Sequence, residues 1–213
     1  MAFKVQVGPP QIAIHQGQTV LLTDPDGTIT WPSEKGLYFL DTRIISNWAI
    51  YANGVSWQLL NGGPISYYAA RIYLTNKSIL TEDGPIPPRT LGLTISRSLS
   101  GGLHEDLDIT NNSMKPVRFQ LEVAFRSDFA DIFEVKSGNI VRRGKITTAW
   151  SERRQQVHTV YLNRDFRFSG ACPAEGCFCQ RPAQSGGGAS TKRDLARLLA
   201  LHARGWRATL LCV

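Results

Sequence analysis

The residues best suited to chemistry in this chain are its clustered carboxylates. Two acids flanking a sugar bond are the basic apparatus of glycoside hydrolysis, one serving as acid and the other as base or nucleophile. Asp106 and Asp108 form one candidate pair, and Asp128, Asp131 and Glu134 form a second cluster. Asp106 and Asp108 alternate with Leu107 and Ile109, so both lie on the wet face of a strand, where acids are ordinarily solvated. Asp128-Phe129-Ala130-Asp131 follows a strand and forms a corner. A lone acidic corner more often caps a turn than performs catalysis. The four histidines, at 15, 104, 158 and 202, are isolated from one another. Neither a nucleophile elbow nor a phosphate loop nor a metal-binding histidine pair occurs. These residues assign no catalytic site, no metal and no cofactor.

Cysteine and charge point the same way. Cys172, Cys177, Cys179 and Cys212 all lie after residue 170 and lack the paired spacing of a zinc site. A disulfide framework would staple the body of a fold rather than its end, so free thiols are the expectation. The net charge is +7, which raises nucleic-acid binding as one class of function. Residues 1–170 carry 18 basic and 15 acidic side chains, whereas 171–213 carry six and two. The excess is thus concentrated in the last fifth of the chain, and the body presents a mixed, solvated surface that does not favour nucleic acid. No run approaches the roughly 20 apolar residues of a membrane helix, and Met1–Ile14 is no secretory leader, so a cytoplasmic location is expected without a membrane partner.

The elements that must carry these groups are short strands. From Phe3 to Phe168 the chain alternates short apolar runs with turn signals, without sustained helical periodicity. Ile12–Thr23 reads as two strands around Gln16-Gly17, and Asp24-Pro25-Asp26-Gly27 reads as a turn. Arg43–Ala52 and Val55–Leu60 flank Asn53-Gly54, which predicts a hairpin with a type I′ turn. Thr81–Pro88 reads as a polar, proline-bearing loop. Val117–Arg126 is the clearest strand: Val117, Phe119, Leu121, Val123 and Phe125 face one way, with Arg118, Gln120, Glu122 and Arg126 opposite. Such spacing predicts an all-β antiparallel sandwich over residues 1–170. Residues 171–213 differ in texture: Gly186-Gly187-Gly188 reads as linker, and Ser190 caps an expected helix from Thr191 to Ala203. Trp31, Tyr38, Trp48, Trp57, Tyr67 and Tyr68 offer rings to stack on sugars, although core packing accounts for most aromatics in a sandwich.

Two segments carry a resemblance. Gly36-Leu37-Tyr38-Phe39-Leu40-Asp41-Thr42-Arg43 resembles a motif of the N-terminal domain of bacterial glycogen debranching enzymes of the amylo-α-1,6-glucosidase type. Asp108–Asn111, Pro116–Phe125 and Asp128-Phe129-Ala130-Asp131-Ile132-Phe133-Glu134-Val135 resemble its second signature. The likeness spans roughly residues 10–168. It implies a supersandwich-like β-domain that precedes a helical (α/α) toroid bearing the hydrolytic acids. A role in α-glucan metabolism follows from it, with an α-glucan and a separately encoded helical catalytic domain as partners. About 43 residues follow residue 170, too few for a toroid, so the reading is of a non-catalytic domain truncated before it, with 171–213 a linker and helix or out-of-frame sequence. The alternatives are a stand-alone glycan-binding module and a basic nucleic-acid-binding protein. Asp41 and Arg43, one residue apart, are expected on one strand face. Together with Asp128, Phe129 and Asp131, they are expected to rim the surface that meets the catalytic domain or the glycan cleft.

Overall fold

The computed structural model describes residues 10–141, 143–151, 156–163, 166–173, 178–179, 195–197, 201–202 and 207–212. β1 (Ile12–Gln16) and β2 (Thr19–Thr23) form the first hairpin, turned by Gly17 at a φ of 57°. The Asp24–Gly27 turn closes as its residues require, with the Gly27 N–H donating to the Asp24 carbonyl at 2.9 Å. β3 (Gly36–Phe39) and β4 (Thr42–Ile45) complete a sheet in the order β1-β2-β3-β4. At Ser46 the chain changes sheet, which splits the expected Arg43–Ala52 strand in two. β5 (Asn47–Ala52) then turns through Asn53-Gly54 into β6 (Val55–Ser56). The φ values there, 47° and 74°, are both positive, as a type I′ turn demands.

β7 (Gln58–Ser66) and β8 (Ala69–Thr75) open the large sheet. β9 (Ile79–Thr81) and β10 (Gly84–Ile86) form a small hairpin where the sequence suggested only a loop. Ile79 and Ile86 are register partners and both buried, so an apolar pair pins the segment to the core. β11 (Leu91–Leu99) and β12 (Leu103–Asn111) alternate buried and wetter positions without interruption. The predicted Val117–Arg126 strand is β13 (Arg118–Phe119) and β14 (Leu121–Arg126), parted at Gln120. There the Asn53 amide oxygen accepts the Gln120 N–H at 2.6 Å. Phe119, Leu121 and Val123 are buried as expected, each stabilising the fold by roughly 1.5–3 kcal/mol. Phe125 is only partly buried, lying 6.3 Å from the Trp48 ring.

Among the described residues one helix interrupts the strands, α1 (Ile132–Ser137). Its sequence signal is the capping box Asp131-x-x-Glu134, in which Asp131 accepts from the Phe133 N–H at 2.8 Å and Glu134 reaches back to the Asp131 N–H. β15 (Lys145–Ser151), β16 (Gln156–Asn163) and β17 (Phe166–Pro173) form a further antiparallel sheet. The large sheet, β12-β11-β8-β7, covers one side of a continuous core. The β1–β4 sheet and the sheet of β14, β5 and β6 cover the other side, which makes an all-β antiparallel sandwich.

Beyond β17 come β18 (Phe178–Cys179), β19 (Leu195–Arg197), β20 (Leu201–His202) and β21 (Arg207–Cys212). The helix expected over 191–203 is therefore replaced by strand at 195–197 and 201–202; its other residues, like the Gly186–Gly188 linker, lie outside the described residues. β19 adds to β14 and β21 to β12. Open sheet edges carry unpaired backbone donors and acceptors, and a following segment satisfies them better as strand than as isolated helix. No helix among the described residues is long and apolar enough to cross a membrane.

Candidate functional site

The Gly36–Arg43 segment forms β3, a tight turn and β4. Leu40 and Asp41 turn the chain with φ of 48° and 60°, both left-handed, so Asp41 sits in the turn rather than on a strand. The expected shared face of Asp41 and Arg43 is thereby corrected: Asp41 is exposed and Arg43 is buried. The outer edge of β4 pairs with the second signature. The Arg43 N–H donates to the Ala130 carbonyl at 2.8 Å, and the Ile132 N–H donates to the Asp41 carbonyl at 2.9 Å.

The same register delivers the Arg43 guanidinium to Asp128, 85 residues away in sequence. Nε donates to one carboxylate oxygen at 3.2 Å and Nη2 to the other at 2.5 Å, a bidentate fork. Nη1 donates to the Ser33 carbonyl at 2.6 Å. The side chains are 1% and 4% exposed, so this is an interior ion pair and not a surface one. Phe129 is also interior, at a φ of 52°, with its ring stacked 5.3 Å from that of Tyr161. Asp131 is half-buried and serves as the cap of α1. Thus the five expected site residues do come together, but three of them face inward.

Gly36 explains its place in the motif. A Cβ there would lie 2.6 Å from Arg43 Cδ and 2.7 Å from the Ile45 carbonyl oxygen. The arginine stem passes where a side chain would be, and the backbone oxygen cannot yield. Gly36→Ala is expected to cost about 1–3 kcal/mol from this overpacking, read as a lower urea midpoint.

Tyr38 packs beside the pair with Ala130 and Val135, its hydroxyl donating to the Glu34 carbonyl at 2.6 Å. Burial pushes its pKa above the ordinary tyrosine value, against the opposing pull of the Arg43 charge. Tyr161 is likewise raised, chiefly by burial. A raised folded pKa means the native state holds its proton longer than the unfolded chain. The associated stability is full below the unfolded tyrosine pKa, about 10, and is lost as pH climbs above it. Tyr38→Phe is expected to flatten part of that alkaline loss, with Tyr161 supplying the remainder. Urea titrations at pH 8 and pH 11 measure it.

A second buried pair was not singled out in the sequence. Arg97 on β11 and Glu105 on β12 are register partners and approach to 3.0 Å, at 2% and 1% exposure. Arg97 Nη1 also donates to the Gly27 carbonyl at 2.6 Å, tying the Asp24–Gly27 turn to the large sheet. The signal was legible: both charges occupy the apolar phase of alternating strands, Leu93-x-Ile95-x-Arg97-x-Leu99 and Leu103-x-Glu105-x-Leu107. Asp106 and Asp108 take the opposite phase, as expected.

The aromatic candidates divide cleanly. Tyr38, Trp48 and Trp57 are core, whereas Trp31, Tyr67 and Tyr68 are exposed. Among the described residues, two cavities bear on ligand binding. One of about 60 Å³ lies between the layers beside Trp48, Trp57 and Arg97, far below the roughly 300–1,000 Å³ of ligand sites. The other, of about 350 Å³, opens at one end of the sandwich between the β1–β2 and β11–β12 turns. No group of three or more His, Cys, Asp or Glu placed to hold a metal occurs among the described residues.

The family model for the N-terminal domain of some glycogen debranching enzymes matches residues 14–196. The chain belongs to this family. The match runs past residue 170, so it takes in β17, β18 and most of β19 as well as both signature segments. Family membership sets the protein in carbohydrate metabolism. A search of curated proteins returned no match. Within this debranching-enzyme domain, the two signatures are the two halves of one interior corner, joined by Arg43 and Asp128.

Proposed function

We propose that this protein acts as an accessory, non-catalytic β-sandwich domain in α-glucan metabolism, working against a helical catalytic domain that supplies the hydrolytic acids. The observation that carries this reading is the match to a debranching-enzyme N-terminal domain over residues 14–196. The acids of the Asp128–Val135 segment have structural employment that supports it. Asp128 is held by Arg43, Asp131 caps α1, and Glu134 closes the capping box and pairs with Arg143 at 3.1 Å. A general acid or nucleophile must instead face a cleft and meet substrate.

The face offered to the partner lies on top of the signature corner. Leu40 and Phe133 are 42% and 77% exposed, and Asp41 is exposed between them, joined to α1 by the Asp41–Ile132 backbone bond. An exposed phenylalanine on a capped helix, rimmed by charge, has the composition of an interface anchor. Arg43, Asp128 and Phe129 hold that face from beneath.

The test mixes the purified chain with a separately expressed helical catalytic domain of the family. Wild type is expected to bind, and Phe133→Asp to weaken binding about tenfold or more with thermal stability unchanged. Equal binding by both proteins rejects the docking face. Release of glucose or shortened chains from glycogen by the purified protein alone rejects the non-catalytic reading.

A further inference from the structure

The hairpin between β7 and β8 turns on Tyr67 and Tyr68, at 62% and 40% exposure. Gly, Asn and Asp normally fill such turns, and two adjacent exposed rings cost solubility for no local conformational gain. The rings are held in place. Tyr67 and Tyr68 meet edge-to-face with centroids 5.0 Å apart and planes at 72°. His15 lies 5.6 Å from Tyr67 at 43°. The backbone is fixed too: the His15 N–H donates to the Tyr67 carbonyl at 2.7 Å, and the Leu99 N–H to the Tyr68 carbonyl at 2.9 Å.

Those two bonds bring the backbone of the ridge to the residues next in sequence to the lining of the larger cavity, although the three rings do not themselves line it. His15 immediately precedes Gln16, and Leu99 immediately precedes Ser100, and both followers line the cleft of about 350 Å³. Gln18 and Thr19 add amide and hydroxyl groups to its wall, while Leu37, Phe39 and Leu103 give it an apolar floor. Gly17 and Gly101 stand at its mouth, and a Cβ on either would meet nothing within 4 Å. Hydrogen-bonding amides beside rings of fixed orientation match a ligand with hydroxyl edges and C–H faces.

We propose that this end of the sandwich, the Tyr67–Tyr68–His15 ridge with the Gln16–Gln18 cleft, is a binding site for a segment of α-linked glucan. The choice of a glucan rests on the accessory role in α-glucan metabolism argued above; the place and the linkage rest on the ridge. Rings inclined at 72° cannot both lie flat beneath the straight ribbon of a β-1,4-linked chain. Successive units of an α-1,4-linked chain turn relative to one another and can present a C–H face to each ring. The cleft borders the Asp41–Phe133 docking face, since Phe39 lines it and the Leu40 N–H donates to the Gln18 carbonyl at 3.2 Å, whereas the ridge belongs to the separate β7–β8 turn.

Calorimetric titration of the whole protein with maltoheptaose, and with cellohexaose as the straight-chain control, tests the assignment. Maltoheptaose is expected to bind and cellohexaose to bind at least tenfold more weakly. Tyr67→Ala and Tyr68→Ala are each expected to lower maltoheptaose affinity about tenfold, near the upper end for an aromatic contact. Tyr73→Ala, an exposed tyrosine farther along β8, should leave it unchanged. All three side chains are exposed, and matching melting temperatures establish that the variants are folded. Failure of wild type to bind maltoheptaose, equal affinity for both oligosaccharides, or full affinity in the ridge variants overturns the proposal. None of those results touches the docking experiment with the catalytic domain, so failure of the glycan site and failure of the accessory role are read separately.

Discussion

Replacing Arg43 with alanine is expected to lower the stability of this domain by about 3–5 kcal/mol, enough to unfold much of the population of a typical domain. Three losses combine. Asp128 is left as an interior carboxylate without its bidentate partner. The Ser33 carbonyl loses the donor at 2.6 Å that anchors the chain before β3. The channel over Gly36 empties of the arginine stem. Asp128→Ala is expected to be damaging on the same scale, because it strands the guanidinium instead. The informative protein is the double variant Arg43→Met with Asp128→Leu. Interior ion pairs can often be replaced by well-packed apolar groups at little cost, so the double variant should be more stable than either single one. Urea denaturation of wild type, Arg43→Met, Asp128→Leu and the double variant forms the cycle. Strictly additive losses would show that the two residues act independently and would reject the reading of the corner as one unit.

Arg97→Ala is expected to cost a similar amount, about 3–5 kcal/mol, for a related reason with a different reach. Glu105 is 1% exposed and would be stranded among Leu103, Leu107 and the opposite layer. The Gly27 carbonyl would lose its 2.6 Å donor as well. Arg97 joins the β2–β3 connection to the large sheet, so its loss should loosen the Asp24–Gly27 turn before the remainder. Amide exchange is expected to show early loss of protection at Thr28, whose N–H is held by the Asp26 carboxylate, and at Gly27, whose N–H is held by the Asp24 carbonyl. Arg97→Lys restores charge but lacks the two guanidinium arms that reach Glu105 and the Gly27 carbonyl together, and should recover only part of the stability. Unchanged stability in Arg97→Ala would mean that the pair is worth no more than a surface contact.

The strand pattern was readable because its causes are local. Alternation along β11, β12 and β14 follows from a period of two against one apolar layer. The Asn53-Gly54 turn follows from two residues that tolerate positive φ. Even α1 had its signal in Asp131-x-x-Glu134, though six residues are too few to show helical periodicity. The failures were where a neighbour distant in sequence decides. Asn53 parts β13 from β14 across 67 residues, and burial of Ile79 and Ile86 in the shared core turns a polar loop into a hairpin.

The candidate site divides along the same line. Residue types and spacing by themselves determined an antiparallel sandwich, the turns at Gln16-Gly17, Asp24–Gly27 and Asn53-Gly54, and the membership of Gly36–Arg43 and Asp128–Val135 in one family of domains. They could not determine which way those charged residues face. Asp41 and Arg43 looked like partners on one strand face, yet a two-residue turn at positive φ sends one to water and the other inward. Arg43 is interior only because β4 pairs with residues 130–132, and that pairing carries a carboxylate to it from 85 positions away. A charge is buried where a counter-charge and backbone acceptors await it, and that environment is assembled by the fold rather than by the residues on either side.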